Sequence, residues 1–385
     1  MNTQTSYFKK ALVVLMAVMM VFTMMPGMAW ATDGTETGGE TSNVVSSGNC
    51  GSSDVTYTLY SDGRLVICGT GSIEKGTWEN SIKTKVKEIS IDGNIRTIGK
   101  MVFMSYSNLK SVNLGSITSI DMAAFKGCSN LETIQADSVT KIGSQAFNDC
   151  KKIKTISLKA LTDSKNIPIT NSLESLTIGE KTDSKFISNL AKASSLKVLN
   201  IPEGNQSLKV DNSLLLSKDG KKLYYTLRNG EKNIIIPNTV TSIENNAFAN
   251  YRELTHVSLP NSLQKIGASA FKDCTGLTEM LIPTGVTTID STAFSGCSNL
   301  KAFTMNGEGE TYRVQNGILL SDGGKAVFMV PPQFSGVFAV PSGVVSIGAS
   351  AFKNCTGLSG ITFADSLTTI GANAFDGCVR LQTVE

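Results

Sequence analysis

GASAFKDCTGL, from Gly267 to Leu277, returns almost unchanged as GASAFKNCTGL, from Gly348 to Leu358. The phenylalanine in this stretch recurs at 103, 125, 147, 248, 271, 294, 352 and 375, spaced 22 or 23 residues apart within each of three runs. Isoleucine stands five places before all of them, from Ile98 and Ile120 to Ile370. Leucine or isoleucine stands six places after, from Leu109 to Leu381, and a further apolar residue nine places after, from Val112 to Val384. Self-similarity at this period marks a solenoid, in which no unit closes a core alone and stacked copies share one.

The rest of the period supplies the walls. LETIQA, from Leu131 to Ala136, alternates inward apolar with outward polar residues, the pattern of a short strand. VTKIG, residues 139–143, is a second extended piece. The small residues around Gln145-Ala146-Phe147 predict one tight helical turn that tucks the phenylalanine inward. Three stretches break the period. Residues 153–200 read as degenerate repeats that keep the strand in LESLTI and LKVLNIP, with a slightly longer helix expected from Asp183 to Ala193. VDNSLLLSKDGKKLYYT (Val210 to Thr226) and VQNGILLSDGGKAVFMV (Val314 to Val330) each set a glycine turn between β-rich arms. Each reads as a hairpin leaving the coil, within inserts near 203–236 and 307–340.

Ahead of the repeats, Lys9 and Lys10 precede an apolar run from Ala11 to Met25, then Pro26-Gly27 and Ala29-Trp30-Ala31. A basic region, a short apolar core and a small-x-small site describe a secretory signal peptide at residues 1–31. The run is shorter than the roughly 18 apolar residues a membrane span needs, so no span is expected after cleavage. Residues 32–48 carry Thr, Gly, Ser and Glu with little to bury and read as a flexible linker. Residues 49–94 hold two alternating runs joined by Asp62-Gly63, a tight hairpin turn. With Trp78, this segment is placed to cover the open end of a solenoid running from residue 95 to 385.

The motif of isoleucine, glycine, two variable residues, Ala-Phe, two more and Cys, followed by a leucine-rich strand, resembles the BspA-type leucine-rich repeat. SGNCG, YTLYSDGRLVICGTGSI and Trp78 resemble the segment that opens such arrays. The resemblance covers residues 46–385 and implies a β-rich α/β leucine-rich-repeat solenoid with an N-terminal β-hairpin cap. It also implies a bacterial surface protein that adheres to host proteins, matrix or other cells. Tyr106 and Tyr251 depart from the repeat cysteine. Glu385 falls inside the strand of the last repeat, with no cap, sorting motif or wall-binding domain after it. That leaves a fragment or a released copy as the reading, with end-to-end self-association at the open edge as the expectation.

Charge and residue types narrow the function. Signal cleavage removes two of the 35 basic residues and no acid, leaving 33 against 32 acidic ones, a net +1. Nucleic-acid binding needs a clear basic excess and is not expected. His256 is the one histidine, in the strand LTHVSLP, so a histidine-based triad or a zinc site lacks parts and no cofactor is expected. Paired carboxylates in an inserted hairpin would make a secreted hydrolase, the rival reading from another class. A spacer displaying a missing C-terminal domain is a third. Cys128, Cys150, Cys274, Cys297, Cys355 and Cys378 share one repeat position that also accepts tyrosine, which favours a buried packing role over disulfides. Cys50 and Cys68 lie outside the repeat, and a bridge between them stays open.

Outward strand positions form a hydroxyl and amide carpet without aromatics. Thr133, Gln135, Thr155 and Ser157 are the first candidate contact block for a protein or cell-surface macromolecule, and His256, Ser258 and Glu279 the second. Tyr224, Tyr225 and Phe328 on the hairpin arms compete as anchors.

Overall fold

The computed structural model describes residues 42–52 and 54–385; the signal-peptide reading of residues 1–31 lies outside them. Strands β1 (Val44–Asn49), β2 (Thr56–Tyr60) and β3 (Arg64–Cys68) form an antiparallel meander. The linker therefore ends sooner than its composition implies. Val44 to Gly48 pair along β2, and the Ser46 and Tyr57 hydroxyls meet at 3.0 Å. β3 then pairs in parallel with Glu88–Ile91, so stacking starts at Arg64, well before residue 95. From there Ser111–Asn113, Thr133–Gln135, Thr155–Leu158, Ser175–Ile178 and Val198–Asn200 complete a nine-stranded sheet. Trp78 joins cap to stack: its ring lies 5.2 Å from Tyr57 and 6.3 Å from Phe103, and its Nε1 donates to the Glu74 carbonyl.

Each coil has the two extended pieces that the pattern predicts. The three-residue strand buries only its middle residue, such as Val112, Ile134 or Val257. A two-residue strand ends on the motif isoleucine, and these pair in parallel, Ile98 with Ile120 and Ile120 with Ile142. The expected helical turn around Ala-Phe does not form. Two successive turns take its place, because residues two before and two after the phenylalanine adopt positive φ, which no helix allows. This holds in every coil but that of Phe294, where only Gly296 does so. Ala123 and Gln145 have φ of 56° and 57°, and Gly127 and Asp149 have 76° and 63°. Glycine, asparagine or aspartate at the later position suits that conformation. This geometry aims alternate N–H groups at the next coil. The Phe103 N–H donates to Ala124 and that of Phe125 to Ala146, both at 2.8 Å.

Inside, the phenylalanine rings stack along the axis. Phe103, Phe125 and Phe147 follow one another at 5.2 Å, and Phe248, Phe271 and Phe294 at 4.8 and 5.3 Å. The repeat cysteines close the turn beneath them. Sγ of Cys128, Cys150, Cys274 and Cys297 donates to the carbonyl of the preceding coil's phenylalanine at 3.0–3.1 Å. A thiol thus fills a small apolar site and satisfies a buried carbonyl. Tyr251, at the same position, sends its hydroxyl to the Glu231 carbonyl at 2.7 Å. Burial pushes the Cys297 and Cys355 thiols up to about 12. Cys50 and Cys68 fall on opposite faces of the cap sheet: Cys50 is buried, whereas Cys68 is exposed beyond the inward-facing Ile67. β2 lies between β1, which leads into Cys50, and β3, which ends at Cys68, and two strand spacings, roughly 9–10 Å, exceed the Cα separation that a disulfide spans. Native-state labelling with a maleimide should therefore modify Cys68 quickly and Cys378, which is half-buried, more slowly. Cys128, Cys150, Cys274 and Cys297 should react only after unfolding; rapid labelling of any of these four contradicts the packing described.

The two inserts do not leave the coil. Leu208–Asp211, Leu214–Ser217 and Lys222–Thr226 form an antiparallel meander whose last strand pairs in parallel with Ser242–Ile243, the next coil's short strand. Arg313–Gln315, Ile318–Ser321 and Ala326–Met329 repeat this and join Ser346–Ile347. The leucine run explains the difference: Leu214, Leu215 and Leu216 are all buried, as are Leu319 and Leu320. A hairpin projecting into solvent would expose one face of that run. The hydrophobic core divides into three segments at these meanders, around Leu214–Leu227 and Ile318–Leu320. The expected helix at 183–193 is a 3-10 helix, Lys185–Lys192.

Candidate functional site: the outward strand face

Parallel register aligns the outward residues into rows. Thr133 pairs with Thr155 and Gln135 with Ser157, so the first candidate block is one contiguous patch, flanked by Ser111 and Asn113 on one side and Ser175 and Thr177 on the other. Strands in such a ladder lie about 4.8 Å apart, which fixes the spacing of the side chains. Thr133, Gln135 and Thr155 are half-buried and make no side-chain hydrogen bond among the described residues. Ser157 differs, since its Oγ donates to Asp137, which also pairs with Lys159 at 2.7 Å.

A charged row borders this patch where each strand begins. Lys87, Lys110, Glu132, Lys154, Glu174 and Lys197 each stand just before their strand, or one residue ahead of it. Glu132 meets Lys154 at 2.8 Å and Glu174 meets Lys197 at 3.3 Å. The hydrogen bond from the Lys154 ammonium holds Glu132 below the usual carboxylate range. These pairs are exposed, so their role is to hold register and direct approach more than to add stability.

The second block is more open. His256, Ser258 and Glu279 are all exposed and carry no side-chain hydrogen bond among the described residues. His256 pairs with Asn233 and Ser258 with Ile235, and the strand Glu279–Leu281 follows on the next coil. Two residues of this block escaped the sequence reading. Ile235 is 79% exposed and Leu281 38%, on strands either side of Ser258. The IIIP run from Ile234 reads as core, yet alternation buries Ile234 and Ile236 and turns Ile235 outward. Exposed apolar groups among polar ones are the usual composition of a contact site.

The aromatic arms of the meanders offer less. Tyr225 is buried, with its hydroxyl on the Ala193 carbonyl, and Tyr224 and Phe328 pack half-buried against the core. Arg228 is half-buried at the junction of the first two core segments. Its guanidinium lies 5.0 Å from the Tyr225 ring and 4.6 Å from that of Tyr251, and donates to the Thr226 and Ala249 carbonyls. Those contacts make it a joint of the core. For hydrolysis the relevant feature would be two carboxyls flanking one cleft. The carboxyl that burial raises is Glu79, and the neighbouring charges that act on it are the ammonium groups of Lys75 and Lys83. No group of three histidine, cysteine or acidic residues among the described residues is placed to hold a metal. No helix among them is long and apolar enough to cross a membrane.

The leucine-rich repeat protein of Eubacterium ventriosum has a similar structure, 21% identical over 86% of this chain and 95% of that one, with a TM-score of 0.55. That of Bacteroides ovatus is 23% identical over 86% and 92%, with a TM-score of 0.46. A leucine rich cell surface protein of Faecalibacterium prausnitzii is 22% identical over 90% and 77%, at 0.28. No curated protein matches. The model of the BspA type leucine rich repeat region matches residues 71–184, 118–212, 220–315 and 328–385. Together with the stacked coils of about 23 residues, this shows that the chain belongs to the BspA-type leucine-rich repeat family.

Proposed function

We propose that the protein is a secreted, cell-surface adhesion module that docks a host, matrix or cell-surface macromolecule on its outward strand face. The observation that carries this reading is the state of that face: rows of polar side chains in fixed register, most without an intramolecular partner, with Ile235 and Leu281 exposed among them. Ordering of side chains opposes binding, and a rigid ladder has already borne much of that cost. Contact energy concentrates in a few central apolar or aromatic groups surrounded by polar ones. The block of Ile235, His256, Ser258, Glu279 and Leu281 fits that description better than the half-buried quartet at Thr133, Gln135, Thr155 and Ser157. Secretion rests on the signal-peptide pattern of residues 1–31.

The test is a panel of purified matrix and epithelial proteins, screened for capture by the secreted chain. Ile235→Lys should weaken the strongest interaction at least tenfold, because it places a charge where an apolar contact is expected. Gln135→Lys should act in the same direction with a smaller effect. Capture that survives both changes and is lost on shortening a meander would place the contact elsewhere.

A further inference from the structure

The turn column is a hydrogen-bonded ladder, and after the third phenylalanine coil it stops. Met101, Phe103 and Ser105 donate their N–H groups to Met122, Ala124 and Lys126 of the next coil. Ala123, Phe125 and Gly127 donate in turn to Ser144, Ala146 and Asn148. The corresponding N–H groups of Gln145, Phe147 and Asp149 have no acceptor among the described residues. Phe147 is buried, so its orphan N–H needs an explanation, since buried donors are almost always paired.

The following coil is too short to supply the acceptors. Thr133 aligns with Thr155, but Thr155 aligns with Ser175, so this coil has two residues fewer than the one before it. Its segment LTDSKNIPIT, residues 161–170, contains no Ala-Phe turn. It is tethered at either side of the gap, by Asn166 Nδ2 to the Ile142 carbonyl at 2.8 Å and by Thr170 Oγ1 to that of Ile153 at 3.1 Å. Between the tethers lies a cavity of about 310 Å³. The third turn forms one wall, and Lys151, Lys165 and Lys192 stand around it. Asp149 is the one acid in the lining.

We propose that this gap binds an acidic saccharide. The N–H groups of Gln145, Phe147 and Asp149 donate to its carboxylate and to neighbouring sugar oxygens, and its charge is met by the three lysines. A row of unpaired backbone N–H groups carries positive partial charge that attracts an anion, and charge-assisted bonds to a carboxylate are the strong ones. The volume is at the lower end of small-ligand sites, which run from about 300 to 1,000 Å³. That suits a sugar ring or two. The carboxamides of Gln145, Asn148 and Asn189 in the lining match sugar hydroxyls, which both donate and accept. The site belongs to the turn column, so it stands or falls independently of the strand face.

The test titrates the isotope-labelled full chain with a hyaluronan tetrasaccharide, with neutral chitotetraose, and with a hexaglutamate peptide. The amide resonances of Gln145, Phe147 and Asp149 are expected to shift with the hyaluronan fragment alone. The affinity should fall at least tenfold in the K165Q/K192Q double variant, whose two changed residues are exposed and leave the core intact. It should fall with added salt as well. Equal binding of the neutral oligosaccharide would overturn the proposal. So would a response of those amides to the peptide but not to the saccharide, or no response to either.

Discussion

Phe271→Ala is expected to destabilise the middle core segment by about 3–5 kcal/mol, the range for truncating a large aromatic in a packed core. Phe271 is fully buried and stacked on both sides, 4.8 Å from Phe248 and 5.3 Å from Phe294. Its carbonyl accepts the Cys297 thiol, and its N–H donates to Ala293. The backbone bonds hold the turn in place, so the emptied volume cannot collapse far, and that puts the loss toward the upper end. Neighbouring coils share the ring column, so the loss should appear in the adjacent coils too. Urea unfolding followed by amide exchange at residues 243–300 measures it. A loss below about 1 kcal/mol would contradict the shared column.

Asn205→Ala should cost about 3 kcal/mol or more, although Asn205 belongs to no repeat position, because each buried group stripped of its partner costs about 1–3 kcal/mol. Its side chain is fully buried and fully used. Nδ2 donates to the Gly179 carbonyl at 2.9 Å and to that of Thr182 at 3.1 Å, while Oδ1 accepts from the N–H groups of Ser207 and Leu208 at 3.0 and 2.9 Å. Four backbone groups, two in an earlier coil and two at the start of the first meander, thus depend on one carboxamide. The loss should be local: amides of Leu208–Asp211 should lose protection first, while those of the cap keep theirs. Unchanged protection at Ser207 and Leu208 would show that the carboxamide does not hold that corner.

These two residues also show what a single sequence reveals. Phe271 announces itself, because an apolar residue that returns every 22 or 23 positions has to be buried against its own copies. Asn205 is one asparagine among many, and its value comes from four backbone groups that only the folded chain brings to it. The turn type lay between these extremes. Aspartate, asparagine or glycine two places after each phenylalanine from Phe125 onward signals positive φ, and reading the small residues as helical overlooked it. Ile235 was legible in principle, since its register partner Ser258 faces outward. An unbroken isoleucine run hid the alternation. The gap beside Phe147 was not legible from the pattern, because it arises from a length difference between two coils, and hydrophobic periodicity records burial without counting donors.

The inserts teach the same lesson about composition. A glycine turn between β-rich arms does specify a hairpin, and both hairpins are present. Whether a hairpin projects or packs is decided by its other face. Leu214 to Leu216 and Ile318 to Leu320 leave no polar side for solvent, so the meanders become part of the stack and each starts a new core segment. Exposed contact area is thereby shifted from the hairpin arms to the strand face.

Hydroxyl-radical footprinting of the complex with the tightest-binding matrix protein tests the strand-face account most directly. Binding should suppress labelling of Ile235, His256 and Leu281, which share the outward face, and leave Met122 on the turn column labelled as in the free chain. Protection of Met122 with continued labelling of Ile235, His256 and Leu281 would contradict it.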